Sequence, residues 1–232
     1  TALFISGSNL VAGQDLLTAV QKKFFANFRV SVMLDSNGSN TTAAAMVAQI
    51  TKTTDVRGKR CVVLAGTGPV GQRAGVMMAR EGAEVILTSR SLERAQAACD
   101  AMKERFGVEM KPAVAADDET IAKALEGAQI VLACGAAGVE LVKEEIWAGN
   151  PTIEIMSDAN ATPPLGIGGI DMMDKAKLRH GKIIYGGIGV GVLKLELHRA
   201  CVGQLFTAND LVLDAEEIYA KAKEMVAEDD RW

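Results

Sequence analysis

A two-lobed α/β architecture is what this sequence predicts, and three observations carry it. Apolar strand-like runs alternate with helix-period segments along most of the chain, the pattern of parallel sheets joined by right-handed crossovers. In Val62–Gly71, VVLAGTGPVG, a buried-strand run enters Gly66-x-Gly68-x-x-Gly71 with a helical segment behind it, the turn of a Rossmann-like lobe. The alternation breaks after Met156, at the stretch Asp158–Asp171, DANATPPLGIGGID. Irregular chain of that kind suits the lining of a cleft. The expected molecule is a Rossmann-like parallel-sheet domain over residues 55–206 and a smaller α/β lobe over 1–54 with 207–232. The active-site cleft lies between them.

The elements follow in order. Ala2–Ser6 reads as a strand and Leu10–Phe25 as an amphipathic helix, with Leu16, Leu17, Val20 and Phe24 at helical spacing. Val30–Leu34 is a second short strand, Thr41–Thr54 an alanine-rich helix and Asp55–Arg60 a polar link. The nucleotide unit then runs as strand Cys61–Ala65, helix Pro69–Glu81, strand Glu84–Thr88 and helix Leu92–Arg105. Beyond it come strand Val108–Val114, helix Asp118–Leu125, strand Gln129–Cys134, helix Glu140–Trp147 and strand Thr152–Met156. After the irregular stretch the sequence predicts strand Lys182–Tyr185, a glycine-rich turn, a helix from about Val190 to Phe206 and a last amphipathic helix, Asp214–Ala227. Thr1 enters a strand at once, so further chain is expected ahead of it, and a first lobe with two strands looks incomplete.

Composition limits the function. The 232 residues carry a net charge of −4 and are 49% hydrophobic. A slightly acidic surface has no general attraction for nucleic acid or an anionic membrane. No apolar run approaches the roughly 20 residues needed to cross a bilayer, and no secretory signal opens the chain. Cys61, Cys99, Cys134 and Cys201 lie far apart in mostly apolar surroundings, which reads as reduced thiols in a cytoplasmic protein. Two histidines and no clustered ligands leave no metal site to propose.

Gly66, Thr67, Gly68, Pro69, Val70 and Gly71 form the candidate dinucleotide cradle. The first Gly permits the tight turn, the second lets backbone approach a pyrophosphate, and the third lets helix and strand pack. The helix N-terminus adds free N–H groups and a positive dipole. A glycine-rich strand–helix turn without a ligand is the plainer reading, and the strand, turn and helix together weigh against it. The next strand ends in Ser89-Arg90-Ser91 with Arg94 one helical turn on. An NAD site carries Asp or Glu about 20 residues after the glycines, whereas hydroxyls and guanidinium forks suit a 2′-phosphate. NADP is therefore favoured, with NAD possible; the alternative is two solvated arginines starting a surface helix. Cys134 and Gly135, at the end of a later strand, join the cofactor set by position. No His stands beside Cys134 to activate it, and burial explains its thiol better.

Two further constellations bear on the substrate. Asp35–Thr42, DSNGSNTT, sits between a strand end and a helix start. Asn40 or Thr41 could simply cap the helix, yet eight consecutive small and polar residues exceed what capping needs. Asn37 and Asn40 are thus candidate substrate ligands. Lys194 and His198, in KLELH, lie four apart on one helical face among apolar neighbours, where desolvation favours proton handling or substrate orientation. On spacing alone an exposed Lys and a core-edge His are the simpler reading. Tyr219-x-x-x-Lys223 matches a dehydrogenase spacing but falls on the final charged helix, and reads as surface helix.

Taken together and in this order, VSVMLDSNGSNTTAAA (Val30–Ala45), VVLAGTGPVGQR, NATPPLGIGGID and GVLKLELHRAC resemble the NADP-dependent methylenetetrahydromethanopterin dehydrogenases of C1-metabolising bacteria, over essentially the whole chain. That family is similar in fold to the methylenetetrahydrofolate dehydrogenases. The resemblance implies two lobes, NADP on the Rossmann-like lobe, and a pterin-bound one-carbon substrate in the crevice. It implies that Lys194, His198 and Thr42 line the active site. It also implies a homo-oligomer of trimer type whose neighbouring subunit helps close the crevice, and an N-terminal aromatic contact to the pterin for which these residues hold no counterpart. The expected reaction is direct hydride transfer from the methylene carbon to NADP. Methylenetetrahydrofolate as substrate is one alternative; its cyclohydrolase partner reaction, which in the folate relatives uses a Lys following a Tyr in the first lobe, is disfavoured because tyrosines occur at 185 and 219 alone. A non-catalytic NADP-binding regulatory module is the other.

Overall fold

The computed structural model describes residues 1–229 and 231–232. A sheet of seven strands forms its body: β3 (Arg60–Leu64), β4 (Glu84–Ser89), β5 (Lys111–Val114), β6 (Ile130–Ala133), β7 (Ile155–Asp158), β8 (Lys177–Arg179) and β9 (Lys182–Tyr185). Their order is β5-β4-β3-β6-β7-β9-β8, and every pairing is parallel except β8 with β9. The direction of winding reverses between β3 and β6, the switch point at which open α/β sheets take ligands.

Both faces of this sheet are covered, so its central strands read as continuous apolar runs. Cys61 and Val63 of β3 face one core and Val62 and Leu64 the other. The first core is closed by α2 (Ser39–Thr53), α3 (Pro69–Arg80), α4 (Leu92–Phe106), α7 (Gly187–Gln204) and α8 (Ala215–Glu228). The second lies under α5 (Asp118–Ala124) and α6 (Glu144–Trp147), around a fully buried Trp147. Each aliphatic side chain buried there contributes about 1.5–3 kcal/mol.

The small lobe is a three-stranded parallel sheet in the order β1-β2-β10, built from β1 (Ala2–Ile5), β2 (Ser31–Leu34) and β10 (Val212–Leu213). Its third strand comes from chain that has already passed through the large lobe, which supplies the partner that two strands lacked. Val32 and Leu34 of β2 pack with Leu17 of α1 (Leu10–Gln21). Met33, pointing the other way, enters the large core with α2, α7 and α8. Residues 1–54 and 207–232 thus hold one sheet and 55–206 the other, but α2 and α8 share a core with the large sheet.

Several expected boundaries shift. The first helix stops at Gln21 because Phe25 and Phe28 pair in a tight loop with Ala26 at φ 47°. The strand expected from Val108 begins at Lys111, and the helix expected from Glu140 begins at Glu144 because Val142 lies extended against Ile167. The expected glycine-rich turn before the last long helix is instead that helix's first turn. A Cβ on Gly187 would meet the Asn160 carbonyl oxygen at 2.5 Å, and Cβ atoms on Gly186 and Gly189 would collide with the Asp171 and Asp174 carbonyls. These glycines permit close packing rather than a bend.

Candidate functional site

The glycine turn leaves β3 through Ala65, a non-glycine residue at φ 51°, strain of the kind stored at ligand-binding turns. Gly66 and Gly71 are pressed together: a Cβ on Gly71 would lie 2.6 Å from Gly66 Cα, and one on Gly66 would lie 2.8 Å from the Leu87 side chain. Gly68 differs. A Cβ there would find nothing nearer than the Ala65 carbonyl oxygen at 3.9 Å, so the backbone is open to a phosphate where α3 begins. Pro69 holds the first position of that helix, and Val70 follows in its first turn, where proline's missing N–H costs nothing.

Beside the turn lies a cavity of about 290 Å³ lined by Thr67, Ser89, Arg90, Arg94, Ala115, Ile121, Gly135 and Leu141, among others. The side chains suit an adenosine: apolar walls for a base, two exposed guanidinium groups and the hydroxyl of the buried Ser89. No carboxylate lines it among the described residues. Ser91 spends its hydroxyl on capping α4 through the Arg94 N–H. Cys134 is buried at the end of β6, its N–H donating to Leu64, and burial pushes its thiol pKa up, with the nearby Asp158 charge adding to the shift. The residues present therefore fit a dinucleotide carrying a 2′-phosphate.

The polar loop after β2 is largely self-satisfied. Asp35, Ser36, Ser39, Asn40 and Thr41 are buried. The Asp35 carboxylate accepts from the Asn40 and Thr41 N–H groups and from the Thr41 hydroxyl, and Ser39 donates to the Ser36 carbonyl. Asn40 is sealed: its amide donates to the Leu34 carbonyl and to Asp214, and its oxygen accepts from Arg73 Nε at 3.0 Å. Capping thus accounts for more of this loop than the sequence suggested. Its accessible members are Asn37, exposed at φ 55°, with Gly38 and Thr42, both half-buried. Thr42 donates its hydroxyl hydrogen to the Gly38 carbonyl, leaving its oxygen lone pairs unspent.

Lys194 and His198 come to this loop from α7. Lys194 Nζ stands 3.1 Å from where a Gly38 Cβ would be. No hydrogen bond or ion pair to that half-buried ammonium exists among the described residues. His198 places Nδ1 3.5 Å from Asp35 Oδ2 and meets the Phe4 ring edge-on at 5.4 Å. The Tyr219/Lys223 pair lies elsewhere: both bond Glu81, just past the far end of α3. Tyr219 is buried there, not on the surface as its helix suggested, because α8 turns that face onto α2.

Sequence reasoning missed three residues that hold the two halves together. Arg73, in the first turns of α3, is buried and reaches Asn40 in the first turn of α2, which sets the glycine turn beside the polar loop. Asp214 caps α8 and accepts from Asn40, Gln14 and Arg105. Asp35 faces His198. Arg73 was hidden because nothing in a helical pattern marks a buried arginine; Asp35 sat in plain view inside the loop motif.

Fold and site define a two-lobed Rossmann-type dinucleotide-binding protein. A family model described as "Methylene-tetrahydromethanopterin dehydrogenase, N-terminal" matches residues 1–37. The chain is 53% identical to the bifunctional protein MdtA of Methylorubrum extorquens, covering 97% of this chain and 79% of that one. It is 33% identical, over the same shares, to the NAD(P)-dependent methylenetetrahydromethanopterin dehydrogenase of the same organism. Among solved structures, quinate dehydrogenase from Corynebacterium glutamicum in complex with NAD aligns over 95% of this chain and 97% of that one, with TM-score 0.54 and 11% identity, a likeness of fold. The chain belongs to the methylenetetrahydromethanopterin dehydrogenase family.

Proposed function

We propose that this chain is an NADP-dependent dehydrogenase, with NAD as a possible substitute, that oxidises methylenetetrahydromethanopterin to its methenyl form in one-carbon metabolism. The observation that carries the reading is the Lys194 ammonium held over Gly38 with no partner among the described residues, and His198 on the same face of α7. The glycine turn would hold the dinucleotide, whose nicotinamide ring would supply the hydride acceptor. Gly68 and the start of α3 take the pyrophosphate, and Ser89, Arg90 and Arg94 the 2′-phosphate side. Two nitrogens flank the methylene carbon and share the charge left by the departing hydride, so the chain needs no general base at that carbon. Its task is positioning. Lys194 and His198 orient the polar edge of the pterin, and Thr42 and Asn37 border the same space. Asn40 supports them from behind.

Val11, Leu16, Phe25 and Phe28, left exposed on the small lobe, support association of copies into a homo-oligomer, its trimer type being what the family resemblance implies. No helix among the described residues is long and apolar enough to cross a membrane, and the four unpaired, buried cysteines suit the cytoplasm. The test mixes purified protein with NADP and methylenetetrahydromethanopterin, and separately methylenetetrahydrofolate, while following NADPH absorbance. Absorbance should grow with the methanopterin derivative; silence with both pterins sinks the reading. Lys194→Ala and His198→Ala should each lower kcat/KM well beyond about twofold, the margin below which the site assignment fails.

A further inference from the structure

Asp35 has two sets of neighbours, and they ask different things of it. Its Oδ1 accepts from the Asn40 and Thr41 N–H groups of the first turn of α2, at 2.9 and 3.2 Å. That is helix capping, and it explains one oxygen. Oδ2 accepts the Thr41 hydroxyl at 2.7 Å and also faces His198 Nδ1 at 3.5 Å. The carboxylate is 1% exposed, so no water shell competes for that second oxygen. Across the imidazole, the Phe4 ring stands at an interplanar angle of 86° and blocks rotation from its side. Nε2 has no partner among the described residues.

We propose that Asp35 is a positioning residue for His198, fixing the imidazole as the Nδ1–H tautomer so that Nε2 presents a lone pair to the substrate. A neutral imidazole carries its hydrogen on one nitrogen and a lone pair on the other. A carboxylate oxygen can only accept, so facing Nδ1 it selects the hydrogen there, as a buried carboxylate does for other active-site histidines. Lys194, one turn back on α7, supplies a donor. The two side chains together then offer the pterin edge one donor and one acceptor rather than two donors. The assignment of the acceptor to substrate rests on the function proposed above; the tautomer does not.

Asp35→Asn separates positioning from capping. The asparagine oxygen still accepts from the Asn40 and Thr41 N–H groups, and Asn caps helices as well as Asp. Its NH2 group donates to the Thr41 hydroxyl, whose own hydrogen already has the Gly38 carbonyl at 3.3 Å. What changes is the group facing Nδ1: an N–H there demands a lone pair and drives the imidazole to the Nε2–H form. The chain has two histidines, His180 and His198, so side-chain ¹⁵N NMR with His198→Ala as the assignment control resolves the tautomer without substrate. The wild-type spectrum should show His198 protonated at Nδ1, and Asp35→Asn should move the hydrogen to Nε2. In turnover, Asp35→Asn should lower kcat/KM by about tenfold or more, with no further loss when added to His198→Ala. A wild-type Nε2–H tautomer, or losses that multiply in the double variant, would overturn the proposal. Because the NMR measurement uses no pterin, it stands or falls separately from the substrate reading.

Discussion

Arg73 Nε donates to the Asn40 side-chain oxygen at 3.0 Å, and this bond joins the two motifs most visible in the sequence. Arg73 belongs to the helix that starts at the glycine turn, Asn40 to the helix that starts at the polar loop. The guanidinium is 1% exposed and lies 5.0 Å from the Phe106 ring centroid. Burial, helped by the nearby Arg105 charge, lowers its pKa to about 10. A cation held there depends on every acceptor it has, and the Nη1 group has none among the described residues. The two motifs are therefore held in register by a buried side-chain contact between them.

Asn40→Ala should destabilise the fold by about 3 kcal/mol. It removes the Nε acceptor of a buried guanidinium, leaving it the longer bond to Gln14, and takes a donor from the Leu34 carbonyl as well, and breaking one side of a buried charged contact costs more than the contact contributes. Urea unfolding reads this directly. A loss below about 1 kcal/mol would show that the junction relaxes around the gap.

Two glycines of the same turn should fail in different ways. Gly68 has φ −76° and ψ 169°, which alanine adopts freely, and its Cβ would meet only ordinary contacts. Gly68→Ala should leave the unfolding midpoint nearly unchanged while weakening NADP binding about tenfold or more, because the methyl stands where the pyrophosphate approaches. Gly71→Ala should instead cost about 2 kcal/mol of stability, since its Cβ meets Gly66 backbone at 2.6–2.8 Å. Calorimetry and NADP titration on both variants check the contrast.

Legibility followed locality. The glycine turn, its strand and its helix could be read because each declares itself within a dozen residues, and the apolar runs of a sheet covered on both faces are hard to miss. β8 could not be read: Lys177–Arg179 is a polar edge strand, turned back by His180 and Gly181, both at positive φ, and an edge strand needs no apolar alternation. β10 is two residues long and has meaning only beside β2, some 180 positions earlier. The site divides the same way. Lys194 and His198 share a helical face, which spacing shows, but their partners Gly38 and Asp35 are placed by tertiary contact. In the polar loop the sequence showed a concentration of hydrogen-bonding groups; which of them face inward is decided by α2.

Arg94 and Arg90 should set the coenzyme preference. Both are exposed and line the cavity that Ser89 and Ala115 also line, with no carboxylate among its walls in the described residues. A charge-assisted hydrogen bond to phosphate contributes about 1.5–3 kcal/mol. Arg94→Ala should then raise the Kd for NADP about 10- to 100-fold and leave that for NAD within about twofold. Equal weakening of both coenzymes would place Arg94 on the shared pyrophosphate rather than on the 2′-phosphate.

Asp158 should give the protein a stability that falls as pH rises from about 4 to 6. Its carboxyl is fully buried at the end of β7, where burial raises its pKa from 3.8 to about 6 against the opposing N–H bonds from Asn160, Ile167 and Gly166. Between those two values the unfolded chain has released this proton while the native state keeps it, so raising pH favours unfolding, by about 3 kcal/mol across the window. Asp55 acts with the opposite sign and lower down: Arg57 holds its pKa near 2, so its contribution is present above pH 4 and is lost as pH falls toward 2. The two windows do not overlap. Asp158→Asn cannot ionise, and although it forfeits an acceptor for the Ile167 N–H, that loss does not vary with pH. Urea unfolding at half-unit steps should therefore show the difference between wild type and Asp158→Asn shrinking or changing sign between pH 4 and 6. Parallel curves through that range would mean the Asp158 carboxyl ionises at its ordinary pH in the folded protein.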